Sequence, residues 1–162
     1  MLLNTRVDLA KYFKKLGFKV GAEIGVLRGD YSVQLCKANP NLKLYCIDSW
    51  GINEMRHSAY HLKMYEKAKF NLAPYNTKLI KKLSLDAIRD FSDNSLDFVY
   101  IDANHKFDYV IEDIIEWSRK VRKGGIISGH DYIKTSLPGP KDRCVLRRNP
   151  TLLVKYGSVK YN

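Results

Sequence analysis

The sequence predicts a doubly wound α/β fold with a mostly parallel sheet, and three observations predict it. Short apolar runs at Val20–Ile24, Leu42–Ile47, Thr77–Lys81, Leu96–Ile101 and Ile126–Ser128 alternate with segments of helical period, the pattern of parallel strands joined by right-handed crossovers. The run LDFVYI at Leu96–Ile101 is nearly continuous in apolar residues, as a strand buried on both faces must be. Glu23, Asp48, Asp102, His105, His130 and Asp131 all fall at strand carboxyl ends, the rim where open α/β sheets take ligands.

Thr5 to Leu16 is the first expected helix. Thr5 and Asp8 match a capping box, Leu9, Tyr12, Phe13 and Leu16 share a face, and Gly17 ends it. Val20, Ala22 and Ile24 read as the first strand, Gly25 and Gly29 as a turn, and Tyr31 to Lys37 as the second helix. Asn39-Pro40-Asn41 turns the chain into the second strand, which ends in Asp48-Ser49-Trp50. Asn53 to Leu72 is expected to be helical, with Met55, Leu62, Tyr65 and Leu72 inward. After a weak third strand, Ser84 to Phe91 reads as a short helix, with Ser84 either its N-cap or a ligand contact. Val110, Ile114, Trp117 and Val121 recur at helical spacing, which predicts an amphipathic helix over Phe107 to Val121. Gly124-Gly125 then leads into the fifth strand, and Leu152–Tyr156 with Val159–Tyr161 around Gly157-Ser158 suggests a hairpin.

Composition bounds the class. At 162 residues, 45% hydrophobic and 12% aromatic, the chain fits one domain over 1–162 with a basic tail at 133–162. Cys36, Cys46 and Cys144 are odd in number and lack metal-type spacing, which argues against a disulfide framework and for a reducing, cytoplasmic setting. The sequence contains no secretory leader pattern and no apolar run of membrane-spanning length. The net charge is +11, and Ile133 to Asn162 alone holds seven Lys/Arg against one Asp. Such a tail either touches phosphates or is a solvated basic end.

The chemistry concentrates at Val20 to Tyr31, VGAEIGVLRGDY. Strand, glycine turn and helix in this order let a ligand lie against the main chain, although the full G-x-G-x-x-G pattern is absent and any tight turn favours glycine. Glu23 at the strand end offers an acceptor to a cationic or donor-rich group. Asp48, 25 residues after Glu23, suits both hydroxyls of a ribose, or else it organises the turn that follows. His57 and His61 are four apart but lack the intervening glutamate of a zinc-protease helix. So many acids and histidines on one rim call for a ligand, metal or partner to balance them.

The run DFVYIDANHKFDYVIEDIIEWSRKVRKGGIISGHDY, with the EIGVLRG turn before it, resembles the class I S-adenosylmethionine-dependent methyltransferases, specifically the small-molecule O-methyltransferase-like, methyltransferase-24 type. The resemblance implies a Rossmann-like fold and S-adenosyl-L-methionine as cofactor. By position, Glu23, Gly25 and Gly29 would contact its methionine part, Asp48 with Ser49 its ribose, and Ser84 and Leu85 its adenine. Asp102 would face its amino group or a metal. Relatives similar to catechol O-methyltransferase bind magnesium, and carried over by position Asp102, His130 and Asp131 would be the ligands. A histidine replaces a hard oxygen ligand among them, and magnesium prefers oxygen, so manganese, iron or no metal stand open beside magnesium. Relatives continue past the fifth strand with a helix and two antiparallel strands, whereas 30 residues follow Tyr132 here.

The expected enzyme is therefore a transferase moving a methyl group to a hydroxyl of a small molecule such as a sugar, phenol or natural product, with Asp102 and with His105 or His130 as catalytic residues and one histidine as base. His105 is alternatively a rim histidine bonded to the backbone. Other readings are an RNA or DNA methyltransferase using the basic tail, a non-catalytic cofactor-binding or assembly module, and a nicotinamide-binding domain. The sequence contains no Asn/Asp-Pro-Pro-Tyr motif for amino-group targets.

Overall fold

The computed structural model describes residues 5–52, 58–130 and 152–155. They form one six-stranded sheet in the order β3-β2-β1-β4-β5-β6. Strands β1 (Val20–Ile24), β2 (Lys43–Asp48), β3 (Thr77–Lys81), β4 (Leu96–Ile101) and β5 (Val121–Gly129) are mutually parallel, and β6 (Leu152–Lys155) runs antiparallel along β5. The expected doubly wound sheet is present. The strand expected to open a hairpin pairs with β5, Gly129 opposite Leu152, while Val159–Tyr161 lies outside the described residues.

The period-2 alternation of the strands sorts the core into two layers. Leu44, Cys46, Phe98 and Tyr100 pack under α1 (Arg6–Lys15), α2 (Asp30–Ala38) and α3 (Ser58–Leu72), whose Leu9, Phe13, Leu35, Met64, Ala68 and Leu72 are buried. Ile24, Ile47, Val99, Ile101 and Ile127 face the other way, toward α4 (Ser84–Ala87) with its following 3-10 turn, and toward α5 (Phe107–Ser118). The chain leaves β1 toward β2 and β3, then returns to place β4 on the other side of β1. That reversal opens a crevice above the carboxyl ends of β1 and β4.

Four local expectations need correction. In α3 Leu72 is buried and Tyr65 packs against the core as expected, but Met64 and Ala68 are the other buried residues and Leu62 is 56% exposed. The i, i+4, i+8 line through a small alanine sets the phase, and Leu62 lies off it; Met55 and His57 lie outside the described residues. Ser84 is not an N-cap, because Leu83 holds that position without a side-chain bond. The last helix ends at Ser118, and β5 begins already at Val121, which pairs with Leu96 before the register slips between Leu96 and Phe98. Asp97 at the slip ties β4 to the starts of its neighbours β1 and β5, accepting from the backbone N–H of Lys19 and Val20 and from Arg122 Nε. Leu16, expected on the inward face of α1, is 38% exposed, since the helix ends at Lys15 and Leu16 is its C-cap. The capping box of Thr5 and Asp8 is formed as expected.

Candidate functional site

An open cleft of about 1010 Å³ lies over the crevice. Its first wall is the turn after β1. Gly25 has φ +90°, and a Cβ there would stand 2.1 Å from the Asp102 carbonyl oxygen. The turn is thus pressed against the end of β4, and only glycine satisfies both the angle and the approach. Asp48 holds the turn from below. Its carboxylate accepts from the N–H of Val26 (2.9 Å), Leu27 (2.8 Å) and Trp50 (2.8 Å), and Trp50 Nε1 donates to the Leu27 carbonyl at 2.7 Å. Asp48 therefore holds the glycine turn that precedes it in the chain, a role its sequence position did not suggest, and through Trp50 N–H also caps the turn that follows, while still lining the cleft with acceptor capacity to spare.

Glu23 forms the floor and is only 2% exposed. Ser32 Oγ donates to its carboxylate. Burial pushes the Glu23 carboxyl up to about 8, with the Ser32 bond opposing and the nearby Asp102 charge adding to the rise. Burial thus holds the proton on this acid to a higher pH than on an ordinary glutamate. In the unfolded chain the same group titrates near 4.5, so its contribution to stability is complete below about 4.5 and is lost as pH rises through about 8. Glu23→Gln should remove that fall, which integrates to a few kcal/mol. Urea unfolding at pH 5, 6.5 and 8 checks this, and parallel pH profiles for the two proteins would refute it.

The third side carries the charges. Asp102 Oδ2 stands 3.3 Å from Arg6 Nη1, and Asp102 Oδ1 stands 3.6 Å from His130 Nδ1 and 3.9 Å from His105 Nε2. His105 lines the cleft with its side chain 48% exposed. His130 comes from the end of β5, is 15% exposed, and reaches Asp102 without joining the cleft lining. Gly29, at φ +83°, is the N-cap of α2 and also stands behind the lining. At the far end Ser84 and Leu85 face the cleft. The Ser84 hydroxyl donates to Asp113 and accepts from Trp117 Nε1 at 2.9 Å, so this serine is locked by α5, while Leu85 is 43% exposed and offers apolar surface.

The structure thus gathers Glu23, Gly25, Asp48, Ser49, Ser84, Leu85, Asp102 and His105 around one cleft. Arg6 is the main residue that sequence reasoning missed. Its one signal was a cation in the first turn of a helix, where the macrodipole disfavours it.

No group of three or more His, Cys, Asp or Glu among the described residues is placed to hold a metal, and the Arg6 guanidinium already faces the Asp102 carboxylate. Asp131, expected as the third ligand with Asp102 and His130, lies outside the described residues. His61, expected to share a helix face with His57, packs edge-on against Tyr60, 5.5 Å between centroids, away from the cleft.

Residues 22–132 match the family described as the methyltransferase domain, and this span contains the glycine turn, Asp48, Asp102 and His105. The chain belongs to that family. Among solved structures, a Staphylococcus aureus protein described as a candidate caffeoyl-CoA O-methyltransferase superposes with a TM-score of 0.62 at 20% identity, over 81% of this chain and 59% of its own. An O-methyltransferase from Bacillus cereus, solved in complex with SAH, gives a TM-score of 0.59 at 20% identity, over 80% of this chain and 57% of its own. An uncharacterized protein of Acanthamoeba polyphaga mimivirus is 37% identical over 130 residues, 77% of this chain and 56% of that protein. The chain spans little more than half the length of these relatives. Its sheet is that of the class I methyltransferases, five parallel strands in the order 3-2-1-4-5, and among the described residues no helix is long and apolar enough to cross a membrane.

Proposed function

We propose that the cleft binds S-adenosyl-L-methionine and that the chain transfers its methyl group to a hydroxyl oxygen of a small molecule. The observation that carries this reading is the Asp48-pinned glycine turn facing Asp102 and His105 across the crevice of a methyltransferase-family sheet. The cofactor described for the Bacillus cereus neighbour supports it.

In this reading the backbone of Gly25 to Leu27 and Ser49 lie along the cofactor, and the remaining acceptor site of Asp48 takes a ribose hydroxyl. Leu85 supplies an apolar wall for the adenine beside Ser84, and Asp102 meets the ammonium. When bound, the cofactor's sulfonium supplies an electrophilic methyl group. The protein's part is to hold the acceptor oxygen in line and to take its proton. His105, exposed in the cleft, accepts that proton on a ring nitrogen, and the Asp102 carboxylate stabilises the imidazolium that results. His130 acts behind Asp102, fixing its orientation.

Calorimetric titration with S-adenosylmethionine and S-adenosylhomocysteine, with NAD as control, tests the reading. Micromolar binding of the two sulfur ligands and none of NAD is expected. A screen of hydroxylated acceptors should then give turnover that His105→Ala removes while leaving cofactor affinity within about threefold. Binding with no turnover on any acceptor would favour a non-catalytic cofactor-binding module. Binding of neither sulfur ligand would overturn the proposal.

A further inference from the structure

We propose that Arg6 recognises the carboxylate at the amino-acid end of the cofactor, acting together with Asp102 as a matched pair of opposite charges. The inference rests on the cofactor reading above and adds a residue outside the glycine turn and the strand ends.

Arg6 opens α1, and nothing in its own helix explains it: the N-terminal end of a helix dipole repels a cation, and the acid of that first turn, Asp8, caps Thr5. Its support comes from elsewhere in the chain. The guanidinium lies over the Tyr31 ring, 5.3 Å from the centroid, and the Tyr31 hydroxyl donates to the Arg6 carbonyl at 3.1 Å. The Thr5 capping box fixes the same turn. Backbone and side chain are thereby held on the cleft wall. Charge-assisted bonds of this kind usually close to about 2.7–2.9 Å, yet Arg6 and Asp102 stand at 3.3 Å, with side chains 38% and 21% exposed. Both side chains line the cleft, and the guanidinium gives Asp102 one of its five N–H donors.

The other basic residues lining the cleft are differently engaged. Arg28 closes on Asp30 at 2.5 Å and Lys82 on Asp90 at 2.7 Å. Asp30 is also at the cleft, but its pair with Arg28 is closed, whereas Arg6 forms the looser pair, with Asp102, the acid that the reading above sets against the ammonium. An α-amino acid end presents an ammonium and a carboxylate on one carbon. A guanidinium and a carboxylate side by side complement both charges, so the ligand exchanges one loose internal ion pair for two charge-assisted contacts.

Calorimetry with two probes on wild type, Arg6→Met and Arg6→Lys separates the possibilities. S-adenosylhomocysteine carries the amino-acid end, and 5′-methylthioadenosine lacks it. Arg6→Met should lose about ten- to a hundredfold in affinity for S-adenosylhomocysteine and keep wild-type affinity for methylthioadenosine, which also reports an intact fold. Arg6→Lys should recover part of the loss, since it keeps the charge without the planar fork. Unchanged affinity for S-adenosylhomocysteine, or equal losses for both probes, would overturn the role of Arg6 and leave the cofactor site standing. A wild-type protein that binds neither probe would overturn both.

Discussion

Asp48→Ala is expected to destabilise the protein by about 2–4 kcal/mol and to abolish measurable binding of the sulfur cofactor. Three backbone N–H groups, those of Val26, Leu27 and Trp50, lose a charged acceptor at once. A hydrogen bond to a charged group contributes roughly 1.5–3 kcal/mol, and water reaching the exposed Leu27 amide returns part of it. The larger consequence is conformational. Leu27 sits at φ +53° and Trp50 at φ +39°, angles that a non-glycine residue holds only when its surroundings over-determine them. Without the carboxylate both are free to relax, and the turn loses the shape that presents its main chain to the cleft. Asp48→Asn keeps one acceptor oxygen and should fall between wild type and Asp48→Ala. Urea unfolding and calorimetry check both variants. An Asp48→Ala protein within about 0.5 kcal/mol of wild type and with undiminished cofactor affinity would show that the turn stands by itself.

Gly25→Ala is expected to be at least as severe, and for a steric reason. The added methyl would meet the Asp102 carbonyl carbon at 2.5 Å and the Ala103 nitrogen at 2.7 Å. All of these are backbone atoms, so no side-chain rotation relieves the clash. The residue also sits at φ +90°, which costs an L-residue on the order of 1–3 kcal/mol before any clash is counted. The end of β1 and the end of β4 would have to part, breaking the bond from Asp102 N–H to the Ile24 carbonyl, now 2.7 Å. That movement displaces Asp102 and, with it, the partner of Arg6, His105 and His130. The expected result is a loss of about 3 kcal/mol or more in stability together with cofactor binding below detection. A Gly25→Ala protein with wild-type melting temperature and affinity would mean that the two strand ends are not in close contact in solution.

Much of the fold was legible because it is written in local periodicity. The continuous run of β4, the strand and turn at Val20–Gly29, and the capping box of α1 are each statements about neighbouring residues, and each stands as the local pattern implies. The rim was legible for the same reason. Once the strands are parallel, Glu23, Asp48 and Asp102 must emerge at one edge. What periodicity misjudged were positions where a small or isolated residue carries the information. Ala68 fixes the phase of α3 without standing out as hydrophobic, and Val121 falls at helical spacing although it belongs to the strand.

Local pattern sufficed for the doubly wound sheet, the glycine turn and the placing of Glu23, Asp48, Asp102, His105 and His130 at strand carboxyl ends. Tertiary structure alone decided how they are used. It turned Asp48 inward to hold a turn 21 and 22 residues before it, buried Glu23 deeply enough to keep its proton, and locked Ser84 between Asp113 and Trp117. It also brought Arg6 to Asp102 across 96 residues of chain. The physical reason is common to all four. A repeating pattern records which face of an element is apolar, whereas an ion pair, a desolvated carboxyl or a shared hydroxyl depends on the distance between elements, and that distance exists only once the layers have packed.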